Sequence, residues 1–175
     1  MALVALQALV LWLMGQPVIA QSGIIKLWEG AVLSAGNSQH IADWYTFSHV
    51  IHGLLFYWLL SVVAPRVPVP ARLLLAMGIE VSWEILENTP MVIEHYRQQA
   101  LAAGYIGDSI LNSVSDTIAM LAGFVAAWRL PVWGSIVMGL GLEALPLWGI
   151  RDGLSLNILG FVHQFDFISR WQSGK

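Results

Sequence analysis

Apolar positions fall in long blocks in this chain, with polar residues gathered between them. Five blocks stand out, at about 2–20, 44–64, 71–93, 109–128 and 131–150. Each approaches the ~20 residues that a helix needs to cross the hydrocarbon core of a bilayer. The pattern predicts an all-α, polytopic transmembrane helix bundle, with residues 1–175 as a single transmembrane domain. A further apolar piece, LSLNILGFVHQFDFI, is short for a span and carries Asn157, His163 and Asp166. It reads as a re-entrant, interfacial or sixth short helix. No Lys or Arg precedes the first block, so it reads as an uncleaved span rather than a secretory signal, although Val18-Ile19-Ala20 would pass as a cleavage site.

Composition agrees with this. Hydrophobic side chains make up 57% of the chain and charged ones 11%, against roughly 25% charged residues in soluble domains. The expected partner is the lipid bilayer, with other membrane subunits as candidates. A net charge of −3 without a basic stripe excludes nucleic acid. Cysteine is absent, which removes disulfides and thiolate metal sites. The short connections PRVPVPAR, with Arg66 and Arg72, and RLP, with Arg129, carry positive charge. By the positive-inside tendency they are cytoplasmic, and so is the N-terminus. Loops 21–43 and 94–108 then lie outside, with Lys26, Arg97 and Arg151 as the opposing charges.

Polar residues inside the blocks change the picture more. Glu80, Glu84 and Glu87 lie within about 60° of one another on a helix. Asp108, Asn112 and Asp116 form a second stripe at i, i+4, i+8, and His49 and His52 sit one turn apart. With the orientation above, His49, His52, Glu84, Glu87, Asn112 and Asp116 share one depth, roughly 5–15 Å below the outer rim, and Glu80 lies deeper. Three acidic residues at the centre of a span cost about 8–10 kcal/mol on the insertion scale, so this helix needs partners, protonation or a cation. The candidate metal ligands are His49, His52, Glu84, Glu87 and Asp116, with a divalent ion as the candidate cofactor. Glu84 and Glu87 are also the candidate catalytic groups, with Glu80, Asn112, Asp108 and Arg151 in support. The alternatives stay open: hydrogen-bonded interior histidines, carboxyls acting as interhelical glue, and Arg151 as the counter-cation. Asp108 suits an N-cap, Pro90 ends or kinks the third span, and His40 and Asp43 read as a solvated outer loop. Glu143, alone in the fifth block, is not placed by spacing.

The chain contains no HExxH, GxSxG or P-loop motif. Four stretches, KLWEGAVLSAGNSQHIADWYTFSHVIHG, EVSWEILENTPMVIEHYR, YIGDSILNSVSDTIAMLAGF and IRDGLSLNIL, resemble the UPF0314 family (domain of unknown function 2585). The resemblance implies a multi-pass protein of a bacterial inner membrane and implies no reaction. Three kinds of function therefore compete. The first is a metal-assisted membrane enzyme acting on a lipid or envelope substrate. The second is a structural or assembly subunit of a larger membrane complex. The third is a small cation or proton carrier.

Overall fold

The computed structural model describes residues 1–174, which form eight helices and no strand. In chain order these are α1 (Ala2–Leu13), α2 (Thr46–Val63), α3 (Val69–Glu87), α4 (Pro90–Tyr96), α5 (Ile110–Arg129), α6 (Val132–Ile150), α7 (Leu154–Val162) and α8 (Asp166–Gln172).

Among the described residues α2, α5 and α6 are long and apolar enough to cross a membrane. The expected five spans are not all reproduced. The first block yields a helix of 12 residues, about 18 Å long. It stops at Gly15, whose φ of 90° lies in the left-handed region, two residues before Pro17. At 19 residues α3 is long enough, but Arg72 and its glutamates make it too polar to meet the same standard. Pro90 ends α3 as its chemistry requires: it opens α4 at the first helical turn, with Thr89 as N-cap. The tail forms two short helices, α7 of 9 residues and α8 of 7.

The centre of the fold is the contact between α2 and α5. Gly53 and Gly123 face one another's helices, and a Cβ on either would overlap opposing backbone, at Met120 O and Val50 O respectively. Small residues here let the two backbones approach closely. α3 runs antiparallel beside this pair, and α1 lies along α3 and α5. The far half is packed by Leu60, Met77, Met120 and Phe124, with Ala76 fully buried among them. Tyr57 meets Phe124 edge-on at a centroid distance of 5.2 Å. The near half contains the polar residues.

The start of α5 lies within the near half, and its free backbone donors are all met. Ile110 N–H donates to Pro17 O and Leu111 N–H to Val18 O. Asn112 N–H donates to the Ser109 hydroxyl, and Ser113 N–H to Ser109 O. Ser109, rather than Asp108, is therefore the N-cap. Loop 36–43 is fixed to the same end: Gln39 Nε2 donates to Gly107 O at 2.8 Å and Asn112 Nδ2 to His40 O at 2.9 Å. This loop is not the solvated segment that its composition suggests. His40 and Asp43 are buried, and Asp43 accepts from the backbone N–H groups of Ser38 and Tyr45.

Candidate functional site

α2 presents His49 and His52 one turn apart, and α3 presents Glu80, Glu84 and Glu87 toward them. His49 Nδ1 lies 2.6 Å from Glu80 Oε1 and 3.2 Å from Glu84 Oε1. His52 Nδ1 lies 3.2 Å from Glu80 Oε2. Glu80, expected a turn too deep, is therefore the carboxylate that joins the two imidazoles, whose rings sit 5.2 Å apart. The expected span ran to residue 93, but α3 ends at Glu87, so Glu80 lies closer to the outer end of its helix than a count from 93 places it.

Glu84 is the less satisfied of the two buried glutamates of α3. Its Oε2 accepts from the Ser113 hydroxyl at 2.6 Å. Its Oε1 is buried and has no hydrogen-bond partner. The nearby Nδ1 of His49 carries at most one hydrogen, and the shorter, better-aimed contact goes to Glu80. An ionised oxygen without a donor is costly in such a place.

α5 closes the cluster. Asp116 Oδ1 accepts from Thr46 Oγ1 at 3.0 Å, and its Oδ2 lies 3.9 Å from His49 Nε2. Behind Glu84, Ser113 accepts from Gln7 Nε2 at 2.7 Å, and Thr117 donates to Gln7 Oε1 at 2.9 Å. Sequence reasoning missed this relay, yet Gln7 stands out as the one polar residue in the α1 sequence ALVALQALVLWL. It also missed Asn88 at the break between α3 and α4. Asn88 donates to Glu84 O and to Asp108 Oδ2, and accepts from Asp108 N–H. Tyr105 donates to Asp108 Oδ1 at 2.9 Å. Burial pushes Asp108 up to about 6, against the opposing pull of the Asn88 and Tyr105 donors.

Arg151 does not join the cluster. It takes a left-handed conformation at the end of α6, donates to Trp171 O and is exposed. Among the described residues no lysine or arginine pairs with Glu80, Glu84 or Asp116. Glu143 pairs elsewhere: its carboxylate accepts from Leu154 N–H and Ser155 N–H, capping α7.

Two overlapping groups suit a cation: His49, His52 and Glu80, and His49, Glu84 and Glu87. In each, one ligand atom per residue falls within 4.8 Å of the others. Ligand atoms around a zinc-sized ion sit about 3.3 Å apart, so small rotations of these side chains would close either group. The mixture of imidazole nitrogen and carboxylate oxygen suits zinc and similar first-row ions.

In front of the cluster opens a cavity of about 360 Å³. His49, His52, Glu87, Asp108, Asn112 and Asp116 line its polar part, and Phe56, Ile79, Trp83, Leu154, Ile158 and Phe161 its apolar part. α7 forms one wall, where Phe161 stacks on His95 at 4.7 Å and meets Trp83 edge-on at 5.9 Å.

The family described as "protein of unknown function (DUF2585)" matches residues 11–174. The chain belongs to this family. It is similar to UPF0314 proteins over nearly its whole length. Identity is 52% to that of Sinorhizobium fredii, over 99% of this chain and 88% of the relative. It is 48% to that of Brucella anthropi, with the same coverage. It is 49% to that of Sphingopyxis alaskensis, over 99% of this chain and 92% of the relative. No solved structure matches the chain. Membership covers the cluster, the cavity and all eight helices but α1, most of which lies before residue 11.

Proposed function

We propose that the chain is a multi-pass protein of the bacterial inner membrane whose His/Glu cluster binds a divalent metal ion and serves metal-assisted hydrolysis in the adjoining cavity. The observation that carries this is Glu84 Oε1, a buried carboxylate oxygen without a donor, set between His49 and Glu87 in a group of ligand spacing. An ion there would satisfy that oxygen and activate water. His49, Glu84 and Glu80 are buried and act in holding the ion. Glu87 is half-buried and faces the cavity, the place from which a carboxylate moves protons to and from a substrate. Ser113 fixes one oxygen of Glu84 and leaves the other free toward the ion.

The membrane setting draws on the three long apolar helices and on α6, which buries Ser135 and Pro146 and turns most of its remaining surface outward. With Arg66, Arg72 and Arg129 cytoplasmic, the cavity opens in the outer half, toward an envelope or lipid substrate. The packed apolar half around Met77, Met120 and Phe124 argues against a through-path and so against a carrier. The exposed α6 equally suits contact with another membrane subunit, which is the second reading.

Elemental analysis of the purified full-length protein tests the proposal. Near-stoichiometric zinc or another first-row ion is expected, falling in His49→Ala and in Glu84→Gln. Folded protein that takes up no metal on reconstitution would refute the metal centre. Stable co-purification with defined membrane subunits, in the absence of metal, would favour the second reading.

A further inference from the structure

Several cavity residues also reach the outer surface. Ile79 is 43% exposed, Ile158 55% and Phe161 37%, and all three line the cavity. They mark a lateral mouth between α3 and α7, apolar on both sides. The polar part of the lining is rich in hydrogen-bond acceptors. Glu87, Asp108, Asp116 and Asn112 line it, and the buried carboxylates of Glu80 and Glu84 stand directly behind. No lysine or arginine lines the cavity among the described residues. His49 and His52 are the only basic side chains in the lining among the described residues, and the Nδ1 of each faces Glu80.

We propose that this chamber receives a single-chain amphiphile with a non-anionic head rich in donors, an amine or a polyol, whose chain leaves through the mouth between α3 and α7. The inference rests on reading the cavity as a substrate chamber, and it names the class of substrate. Carboxylate and amide oxygens accept from ammonium or hydroxyl hydrogens, and Trp83 and Phe161 offer ring faces and edges along the chain's exit. A phosphate or carboxylate head would bring acceptors to acceptors, with no lysine or arginine in the lining to pair it.

The test uses full-length protein in nanodiscs and three probes with one bromine-labelled dodecyl chain: dodecylammonium, dodecyl maltoside and dodecyl phosphate. Binding is read as tryptophan quenching that disappears in Trp83→Phe. The ammonium or maltoside probe should saturate the site at roughly tenfold or more lower concentration than the phosphate. Ile79→Trp, which fills the mouth, should abolish this binding with metal content unchanged. Equal or tighter binding of dodecyl phosphate would overturn the inference, and so would the absence of saturable binding by every probe. Metal is measured on the same samples. Loss of probe selectivity with metal present rejects the substrate class alone, whereas selective binding without metal rejects the metal centre alone.

Discussion

Gly53→Ala probes the contact on which the site is built. The added Cβ would overlap Met120 O and stand 2.5 Å from Phe124 N, where ordinary contact starts at 3.4 Å. Both obstacles are backbone, so no rotamer change relieves them. α2 must withdraw from α5 by about 1 Å, losing dispersion along the seam. Overpacking of this kind costs about 1–3 kcal/mol, which for a chain of this size lowers the unfolding midpoint by several degrees, at roughly 2–4 °C per kcal/mol. His49 lies one turn before Gly53, so the same withdrawal disturbs the 2.6 Å contact with Glu80. The assay is thermal unfolding of the detergent-purified protein followed by tryptophan fluorescence, with metal content measured in parallel. Gly123→Ala should behave alike, because its Cβ would strike Val50 O. The double variant should cost less than the sum of the two, since one withdrawal relieves both. A Gly53→Ala midpoint within about 1 °C of the parent would show that the helices are not held this close.

Asp108 and Glu143 give two further predictions. Asp108 sits at about 6 in the folded chain against 3.8 for the free group, so the fold favours its protonated form. Its contribution is fully present below about pH 4 and is lost as pH rises through about 6, on the order of 3 kcal/mol. Unfolding midpoints between pH 4 and 7 should therefore fall less steeply in Asp108→Asn, and an unchanged slope would place the titration elsewhere. Glu143→Gln removes one of the carboxylate oxygens that cap Leu154 and Ser155, at about 1 kcal/mol. Hydrogen exchange at the start of α7 should quicken by roughly fivefold; unchanged protection would mean that α7 is held by its aromatic contacts with Trp83 and His95 instead.

Much of this arrangement is legible in the sequence because two periodicities carry it. Long, predominantly apolar runs mark α2, α5 and α6, and the 3.6-residue repeat aligns Glu80, Glu84 and Glu87 on one face. Pro90 marks the break after α3. Other features depend on contacts that no local rule registers. A hydropathy window passes over Gly15 and Pro17 and so extends α1 beyond Leu13. Glu80, placed a turn deeper in a supporting role, meets both histidines because α3 stops at Glu87 and not at residue 93. His40 and Asp43 look like loop residues, because their burial comes from Gly107 and Asn112, far along the chain. Asp108 and Ser109 are both good caps by type, and Asn88 draws the first away from that role. Arg151 has the right charge but the wrong surroundings.

Gln7 sets an order of assembly. Its partner Ser113 lies 106 residues further along the chain, and Thr117 lies 110. Until α5 has been made, the amide has neither, and the carbonyls of Pro17 and Val18 lack the α5 donors that they finally receive. α1 can therefore take its final seat only once α5 is in place. Glu84 acquires the Ser113 hydroxyl only when α5 arrives, so the cluster is completed late, by segments from both halves of the chain. Before α5 is in place His49 and Glu80 can already pair, while the oxygen of Glu84 that Ser113 will hold still waits for its donor.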